Sequence, residues 1–417
     1  MRNIVVLGCG FAGYHAARRL ESELAGRRRV RLTVVTRRAH FIFTPLLTNV
    51  ASGELEPDHI VTPIHEAFEL RTRVVIDEIE SIDWAERRLI GTQEEIPFDY
   101  LLIATGAAAD QEVFEGAASV IGPHTLTDAI TMRQGLDALT DNAEQPPRLA
   151  ILGASSTGVE WAGELATALI QDFDLDPRLG EVDLQLYDAG SRLLPDHSPS
   201  IAGFAQQILD ELGVEVHLNS PVTAVNDGIL SLADGTSLPV DRVYHCAGRR
   251  GIDLLQGGEL EVDEFGRIVT ADDLSVPGYF GVFAAGEAVV PTEAVPSRSN
   301  PQIALQQGQW AAKNLLADMS GRMRKPFLYE DRGDFLTVGR DHAILELRGL
   351  ILEGRAAWLA YRLYYTALMP RSFQKARLLV DWVAGRIGGG DASSRGPRLK
   401  ELETAPGDRG RAGTPED

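Results

Sequence analysis

The sequence predicts an α/β fold made of two successive βαβ units, on three observations. A short β-rich segment at 3–7 leads into the glycine cluster 8–13 and a helix, and the same order returns at 148–170. A strand that leads through a glycine-rich turn into a helix is the typical start of a βαβ unit. The composition, 44% hydrophobic and 24% charged, is that of an ordinary globular protein.

The first unit comprises predicted strands at 3–7 and 30–35 around a helix at 12–24. Gly8 supplies a tight turn, Gly10 lets a pyrophosphate approach the backbone, and Gly13 allows close packing of the helix on the strand. The end of the second strand, where an acid usually binds a ribose, holds Thr36 and Arg37 instead. Ribose recognition is therefore expected to be weaker or differently made.

The second unit restarts after a proline pair, with strands at 148–152 and 182–187 around a helix at 159–170. Ser155 takes the place of the middle glycine, where its Cβ would hinder a pyrophosphate and its hydroxyl can compensate by binding a phosphate oxygen. Asp188 ends the next strand and predicts a ribose contact that favours NADH over NADPH. The alternative is a folded Rossmann unit that binds nothing.

Each unit closes with a β-rich stretch that ends in glycine. Runs at 74–76, 88–90 and 100–104 precede Gly106, and the corresponding stretch of the second unit ends at Gly248. A later strand runs into the pair Gly286-Glu287, and Asn300-Pro301 is a good start for a helix. Two helical segments split at Pro370 are predicted within 327–388, and the tail 391–417 has the composition of a disordered segment.

Charge and cysteine content exclude several classes of protein. Lys plus Arg total 40 against 60 for Asp plus Glu, and a net charge of −20 disfavours a nucleic-acid partner. Cys9 and Cys246 lack the CxxC spacing of a zinc or dithiol site, and so few cysteines suit a reducing cytoplasm. We expect neither a signal peptide nor a spanning helix, because no leader and no run of about 18 apolar residues occurs.

One segment differs in charge from the rest of the chain. Residues 355–387 hold six basic residues, one acid and six aromatic residues, at helical spacing. Trp358, Tyr361, Tyr365 and Leu368 define one stripe, and residues 373–387 carry a second. This pattern favours a peripheral anchor on an anionic membrane surface. The alternative is a helical hairpin that packs on the body or forms a dimer contact.

These motifs together resemble the type II NADH dehydrogenases, which are single-subunit NADH:quinone oxidoreductases of the FAD-dependent pyridine nucleotide oxidoreductase superfamily. The resemblance covers about residues 1–388. Besides the glycine clusters, it rests on the runs 43–47 (FTPLL), 51–57 (ASGELEP), 104–106 (ATG), 157–160 (TGVE), 163–165 (GEL) and 301–307 (PQIALQQ). Disulfide and sulfide reductases of the superfamily need cysteines that this chain lacks, so hydride is expected to pass directly from nicotinamide to flavin.

The resemblance implies FAD on the first glycine loop, NADH on the second, and a quinone near Gln302 and Gln306. Glu160 corresponds to a family glutamate near the two rings, although it could equally be a favourable acid at a helix N-terminus. Glu287 stands where the family has Asp, which puts its flavin contact in doubt. The expected catalytic residues are Glu160, Gln302 and Gln306. The expected cofactor-binding residues are Gly8, Gly10, Phe11, Ala12, Gly13, Thr36, Arg37, Pro45, Leu46, Ala104, Thr105, Gly106, Gly153, Ser155, Thr157, Gly158, Asp188, Gly248, Gly286, Glu287 and Gln302.

The expected organisation is an FAD domain in two parts, 1–110 and 256–326, interrupted by an NADH domain at 111–255. A membrane-association region at 327–390 and the disordered tail 391–417 follow. The expected function is non-electrogenic transfer of two electrons from NADH through FAD to a membrane quinone, on the cytoplasmic side of the membrane, by a protein that could form a homodimer. The alternatives are a soluble NAD(P)H-dependent flavoprotein reductase with another acceptor, and a non-enzymatic flavin-binding sensor.

Overall fold

The computed structural model of the chain describes residues 1–27, 29–69, 71–140, 146–252, 254, 260–292, 300–369, 375 and 377. These residues form 22 strands: β1 (Arg2–Leu7), β2 (Val30–Thr36), β3 (His40–Ile42), β4 (Val61–Pro63), β5 (Arg73–Ile76), β6 (Ile79–Asp83), β7 (Arg88–Gly91), β8 (Glu95–Pro97), β9 (Tyr100–Ile103), β10 (Ala107–Ala109), β11 (Arg148–Leu152), β12 (Asp183–Tyr187), β13 (Glu215–His217), β14 (Val222–Asn226), β15 (Ile229–Leu232), β16 (Ser237–Pro239), β17 (Arg242–His245), β18 (Arg249–Gly251), β19 (Val282–Ala284), β20 (Asp334–Thr337), β21 (Ala343–Leu347) and β22 (Leu350–Glu353).

The described residues also form eight α-helices: α1 (Phe11–Glu23), α2 (Leu47–Ala51), α3 (Ile64–Ala67), α4 (Leu126–Thr140), α5 (Ser156–Asp172), α6 (Pro199–Glu211), α7 (Pro301–Met319) and α8 (Gly354–Leu368). Short 3-10 helices lie at Thr44–Leu46, Pro57–His59, Ala117–Ser119, Pro177–Leu179 and Gly286–Ala288.

The first sheet is parallel, with strand order β19-β9-β1-β2-β5. The edge strand β19 comes from the part of the chain that follows the second unit. Successive residues of β1 point to opposite faces, so Ile4 and Val6 pack on the helix side while Val5 and Leu7 pack under the β6–β8 sheet. A strand buried on both faces explains the continuous apolar run of β1.

The second sheet repeats this layout with strand order β13-β12-β11-β17, also parallel. Ile151 faces the side of α5, whereas Ala150 and Leu152 face the antiparallel β14–β16 sheet. β10 and β18 pair as an antiparallel two-stranded ribbon. In the chain, β10 follows β9 of the first sheet and β18 follows β17 of the second. The predicted α/β fold with two βαβ units is confirmed.

A three-stranded antiparallel sheet, β20-β21-β22, precedes α8. The sequence analysis predicted two helical segments within 327–388 and no strands there, so this sheet is an addition to the prediction. Arg348 and Gly349 both have positive φ, 52° and 81°, and form the two-residue turn between β21 and β22. Such a turn matches the twist of the strands and specifies a hairpin.

The aromatic face of α8 packs inward. This differs from the expectation that the aromatic stripe faces a membrane, and it agrees with the alternative that the segment packs on the body. Trp358, Tyr361 and Tyr365 are buried, and the helix exposes Leu359 and Leu363 on its other side. The split at Pro370 and the tail 391–417 lie outside the described residues, and so does the second predicted amphipathic segment apart from residues 375 and 377. None of the helices in the described part of the chain has both the length and the apolar character needed to cross a bilayer.

Candidate active site

The first glycine loop is closely packed on one side and open on the other. A Cβ on Gly8, which has φ +97°, would overlap the Ala104 carbonyl, and one on Gly13 would overlap the Gly8 carbonyl. A Cβ on Gly10 would meet no atom within 4 Å. The loop therefore needs two of its glycines for packing and leaves open space at the third, where a phosphate can approach the backbone at the start of α1.

Other predicted residues gather at the same edge of the first sheet. The Thr36 hydroxyl bonds the backbone of Arg38, and Arg37 is exposed beside it. Gly286 lies against Ala12, since an added Cβ would be 2.9 Å from the Ala12 Cβ. Its N–H donates to Gln307 Oε1 at 2.8 Å, a contact that the sequence did not suggest.

Glu287 forms an ion pair. Its carboxylate accepts from the Arg249 guanidinium at 2.7 Å, and the same guanidinium nitrogen donates to the Ala107 carbonyl at 2.9 Å. The Gly286-Glu287 turn is thereby tied to the ribbon β10–β18. Glu287 was predicted as a cofactor-binding residue whose flavin contact was in doubt, and that contact stays a prediction. In the structure one of its carboxylate oxygens is engaged by Arg249.

The second glycine loop has the same close packing. Gly153 has φ +107°, and a Cβ on Gly158 would overlap the Gly153 carbonyl. Ser155 is exposed at the N-cap of α5, and its hydroxyl caps no backbone N–H of that helix. Asp188 accepts from the N–H groups of Ala154 at 2.7 Å and Gly190 at 2.6 Å. The carboxylate thus braces the loop from the end of β12.

The two glutamines of α7 have different surroundings. Gln302 is buried and its Nε2 donates to the Gly333 carbonyl at 2.9 Å, while its Oε1 has no partner among the described residues. The Gln306 amide is used in both directions, because it donates to the Glu330 carbonyl and accepts from the Glu330 N–H. Gln302 therefore keeps an unused acceptor, whereas Gln306 holds the segment that leads to β20.

Burial disfavours the ionised form of two glutamates that lie one turn apart on α5. Burial raises the pKa of Glu160 to about 8, with Asp334 raising it further and the Thr337 backbone opposing. Burial also raises the pKa of Glu164 to about 7, against the charge of Arg340. Glu160 is therefore mostly protonated at neutral pH, and Glu164 titrates near neutral pH. Sequence analysis identified Glu160 and gave Glu164 no role, although its motif was part of the resemblance.

A second group that sequence analysis missed lies beside Glu160. His197 bonds Ser156 through Nε2 and Asp334 through Nδ1, at 2.7 and 2.8 Å. Asp334 is 137 residues further along the chain than His197. No local pattern links positions so far apart, so only the fold could show this contact.

The remaining predicted residues surround these loops. Phe11 and Leu46 are buried in the core that contains Phe43. Pro45 accepts a hydrogen bond at its carbonyl from Tyr361. Thr157 lies in the first turn of α5, and Gly106 and Gly248 adopt the left-handed φ values 72° and 66° at the two ends of the ribbon β10–β18.

The first loop fits a dinucleotide with a polar ring system. Besides the open side of Gly10, two buried polar atoms, Thr105 Oγ1 and Gln302 Oε1, lack a partner among the described residues. Unpaired buried polar atoms are costly, and a bound group with N–H and hydroxyl donors would satisfy them. FAD carries such donors on its isoalloxazine ring and ribityl chain, together with the pyrophosphate that the loop suits.

Comparisons with known proteins agree with this geometry. Residues 2–308 match the family of pyridine nucleotide-disulphide oxidoreductases. The chain is similar to two type II NADH:quinone oxidoreductases of Mycobacterium tuberculosis, Ndh with 29% identity over 91% of this chain and 87% of that one, and NdhA with 30% identity over 91% and 86%. It is also similar to the demethylphylloquinone reductase NdbB of Synechocystis, with 28% identity over 92% and 96%.

The fold is shared with a solved structure. NDH2 of Plasmodium falciparum, solved in complex with NADH, superposes with a TM-score of 0.80 at 15% identity, over 94% of this chain and 99% of that one. At this identity the likeness concerns the fold.

Proposed function

The chain belongs to the pyridine nucleotide-disulphide oxidoreductase family and, within it, to the type II NADH:quinone oxidoreductases, and on this premise we propose that it oxidises NADH through FAD and reduces a quinone. The observation that carries the proposal is the pair of glycine loops in one chain, each closed by packing glycines at the start of a helix. When bound, FAD supplies the carrier that takes a hydride and passes on two electrons.

On the flavin side, the residues of this chain bind and orient. Gly8, Gly10 and Gly13 present the N-terminus of α1 to the pyrophosphate, and Gly286 follows β19 at the same edge of the sheet. The unpaired Oε1 of Gln302 accepts from a donor of the bound group. The sequence gives no acid at Thr36 for the ribose, so the fixed backbone of this turn has the larger part in binding.

On the nicotinamide side, the loop 153–158 presents the N-terminus of α5, and Asp188 holds that loop while leaving part of its carboxylate for ribose hydroxyls. Cys9 and Cys246 are free and buried, and burial raises the pKa of both thiols. Buried thiols of this kind are poor nucleophiles. The electron route therefore needs no thiol.

Glu160 holds a proton that the reduction of a quinone can use. Reduction of a quinone to a quinol by NADH consumes one proton from solvent besides the hydride. The pKa of Glu160 near 8 keeps its carboxyl protonated at neutral pH, at a position partly exposed and close to β20. A carboxylic acid in this state can donate to a developing quinol oxygen and take up a new proton afterwards.

The quinone side of the protein is proposed to lie on the cytoplasmic face of a membrane. Leu350, Ile351 and Leu352 of β22 are exposed, as are Leu359 and Leu363 of α8. β22 leads directly into α8, and we propose that exposed leucines of these two elements contribute to one apolar surface, called here the β22–α8 surface. An exposed apolar surface of this kind marks an interaction site, and a lipid surface suits an apolar substrate.

One experiment separates this function from its alternatives. The purified protein is examined for flavin absorbance, treated anaerobically with NADH, and then given a short-chain quinone. We expect bleaching by NADH and rapid reoxidation by the quinone. Flavin that stays oxidised would contradict the dehydrogenase function and favour a binding protein, whereas bleaching without reoxidation would favour another acceptor.

A further inference from the structure

A chain of three hydrogen-bonded side chains lies beside the second glycine loop. Ser156 Oγ is 2.7 Å from His197 Nε2, and His197 Nδ1 is 2.8 Å from Asp334 Oδ2. Ser156 is the first residue of α5 and is partly exposed, whereas His197 and Asp334 are buried. The exposed end of this hydrogen-bonded series is the Ser156 hydroxyl, at the helix N-terminus where a dinucleotide is expected.

The imidazole has one fixed side and one variable side. The Asp334 carboxylate accepts, so Nδ1 carries a hydrogen. In a neutral imidazole Nε2 then accepts from the Ser156 hydroxyl, whose only hydrogen is used. In an imidazolium Nε2 donates to Ser156 Oγ, and the hydroxyl hydrogen becomes available to another acceptor. The proton on His197 decides whether Ser156 offers a ligand a donor or only lone pairs.

Building on the NADH site proposed above, we propose that the Ser156 hydroxyl contacts the pyrophosphate of the dinucleotide and that His197 is the positioning residue that couples this contact to uptake of one proton. Residues 153–160 contain no lysine or arginine, and Ser155 replaces the middle glycine. A hydroxyl donor backed by an imidazolium supplies positive charge that the loop otherwise lacks. An anionic oxygen at Ser156 favours the donor form and hence the imidazolium.

Three other charged side chains lie around His197. Asp334 contacts the ring, and its charge also acts on Glu160 of α5. Arg192 donates to the His197 carbonyl oxygen at 2.6 Å, and Glu346 of β21 accepts from the serine that follows His197. Because Asp334 touches the ring while Arg192 touches the backbone, the imidazolium has a direct counter-ion.

The test measures nucleotide binding by the FAD-loaded protein. The probes are NAD⁺, which does not reduce the flavin, and ADP-ribose, which keeps the pyrophosphate and lacks the nicotinamide. Titration calorimetry from pH 6.0 to 8.5 in buffers of different ionisation enthalpy gives Kd and proton uptake. We expect binding to be about three- to tenfold tighter at the acid end of this range than at the alkaline end, with net proton uptake on binding.

Variants locate the effect. In the Glu160→Gln background, which removes the carboxyl of α5 that titrates within this pH range, Ser156→Ala should weaken binding and abolish both the pH dependence and the proton uptake. His197→Gln, whose amide donates at every pH, should give pH-independent binding. His65→Gln, at an exposed histidine on α3, should behave as the parent. Thermal unfolding verifies that each variant is folded.

Three results would overturn the inference alone: binding without pH dependence, pH dependence that survives in Ser156→Ala in the Glu160→Gln background, and pH dependence seen with NAD⁺ but not with ADP-ribose. Failure of the proposed function looks different. In that case neither probe binds at any pH, and NADH leaves the flavin oxidised.

Discussion

Glu164 shows how burial of a single carboxyl sets the pH dependence of stability. It is 2% exposed and accepts from Asn49 and Ser52 at 3.2 and 3.3 Å. Its pKa of about 7 lies above the ordinary value, so the folded state binds this proton more tightly than the unfolded state. Its contribution to stability is therefore complete below about pH 4.5 and is lost as the pH rises through about 7.

Glu164→Gln should remove this loss, because an amide cannot ionise. Its oxygen can accept from Asn49 and its NH2 can donate to Ser52 Oγ, whose own hydrogen can go to the Asn49 carbonyl. We expect the variant to be more stable than the parent by about 1–3 kcal/mol at pH 9 and nearly equal to it at pH 5. Thermal unfolding at the two pH values measures this. Glu264→Gln, at an exposed carboxylate, should show no such difference. A gain of equal size at both pH values would contradict the explanation by ionisation.

Asp188 is the residue on which nucleotide choice is expected to depend. Asparagine in its place has one acceptor oxygen for the two backbone donors of Ala154 and Gly190, and it no longer repels a 2′-phosphate. Asp188→Asn should weaken NADH binding about tenfold and NADPH binding less. Asp183→Asn, on the same strand, is the control. An unchanged ratio of the two Kd values would refute the role in specificity.

At this scale the sequence was informative where function depends on local pattern. The tight turn at Gly8 and the close packing at Gly13 could be predicted because strand, turn and helix follow one another within a few residues, whereas the ribose contact of Asp188 stays a prediction. His197 and Asp334 could not, since their contact depends on the fold, and the two-way use of the Gln306 amide depends on a segment 24 residues away. The sequence did not reveal which side chains of different elements contact each other.

At the scale of elements, the turn before α1 allows two roles of its glycines to be tested separately, namely close packing and access of a ligand to the backbone. Gly10 has φ −79°, which alanine tolerates, and an added Cβ there meets only open space. Gly10→Ala should leave the stability of the apoprotein nearly unchanged while weakening FAD binding about tenfold or more. Flavin fluorescence titration and thermal unfolding of the apoprotein measure the two effects separately.

Gly13→Ala is the matched variant. Its Cβ would overlap the Gly8 carbonyl, so the apoprotein should lose about 3 kcal/mol or more of its free energy of unfolding. If Gly10→Ala destabilised the apoprotein as much as Gly13→Ala, the open space at Gly10 would not be a ligand site.

The positions of elements were predicted best where hydrophobic periodicity or a helix cap marked them in the sequence. The strand Arg148–Leu152 and the start of α7 at Pro301, with Asn300 as its N-cap, have the positions expected from the sequence. The β20–β22 sheet was missed, because its strands are four or five residues long and its outer strand, β22, is apolar and exposed. An exposed apolar strand lacks the alternation from which a half-buried strand is recognised.

For the whole molecule, the fold class follows from the repeated βαβ pattern, but the orientation of α8 does not. Its sequence is amphipathic in either orientation, and aromatic residues suit both a core and a membrane interface. The structure buries Trp358 with the Arg362 guanidinium 3.5 Å from its ring centre, and Arg362 pairs with Glu54. One of the basic residues counted towards lipid binding is thus engaged inside the protein.

Membrane binding should therefore depend on the β22–α8 surface rather than on the aromatic stripe. Replacing Leu359 and Leu363 together with glutamate places two charges on this surface, where each buried leucine would contribute about 1.5–3 kcal/mol. We expect the double variant to stop sedimenting with anionic liposomes while NADH still bleaches its flavin. Substitution is a cleaner test than deletion, because the other face of α8 contacts Pro45 through Tyr361.

The matched control replaces Leu179 and Phe280, which are exposed on parts of the chain other than β22 and α8, with glutamate. This variant should bind liposomes as the parent does, since it leaves the side chains of the β22–α8 surface unchanged. Size-exclusion chromatography distinguishes the competing use of that surface by a second copy of the chain. If the Leu359 and Leu363 variant turned a dimer into a monomer and still bound liposomes, the surface would be a dimer contact, and membrane attachment would have to come from another part of the chain.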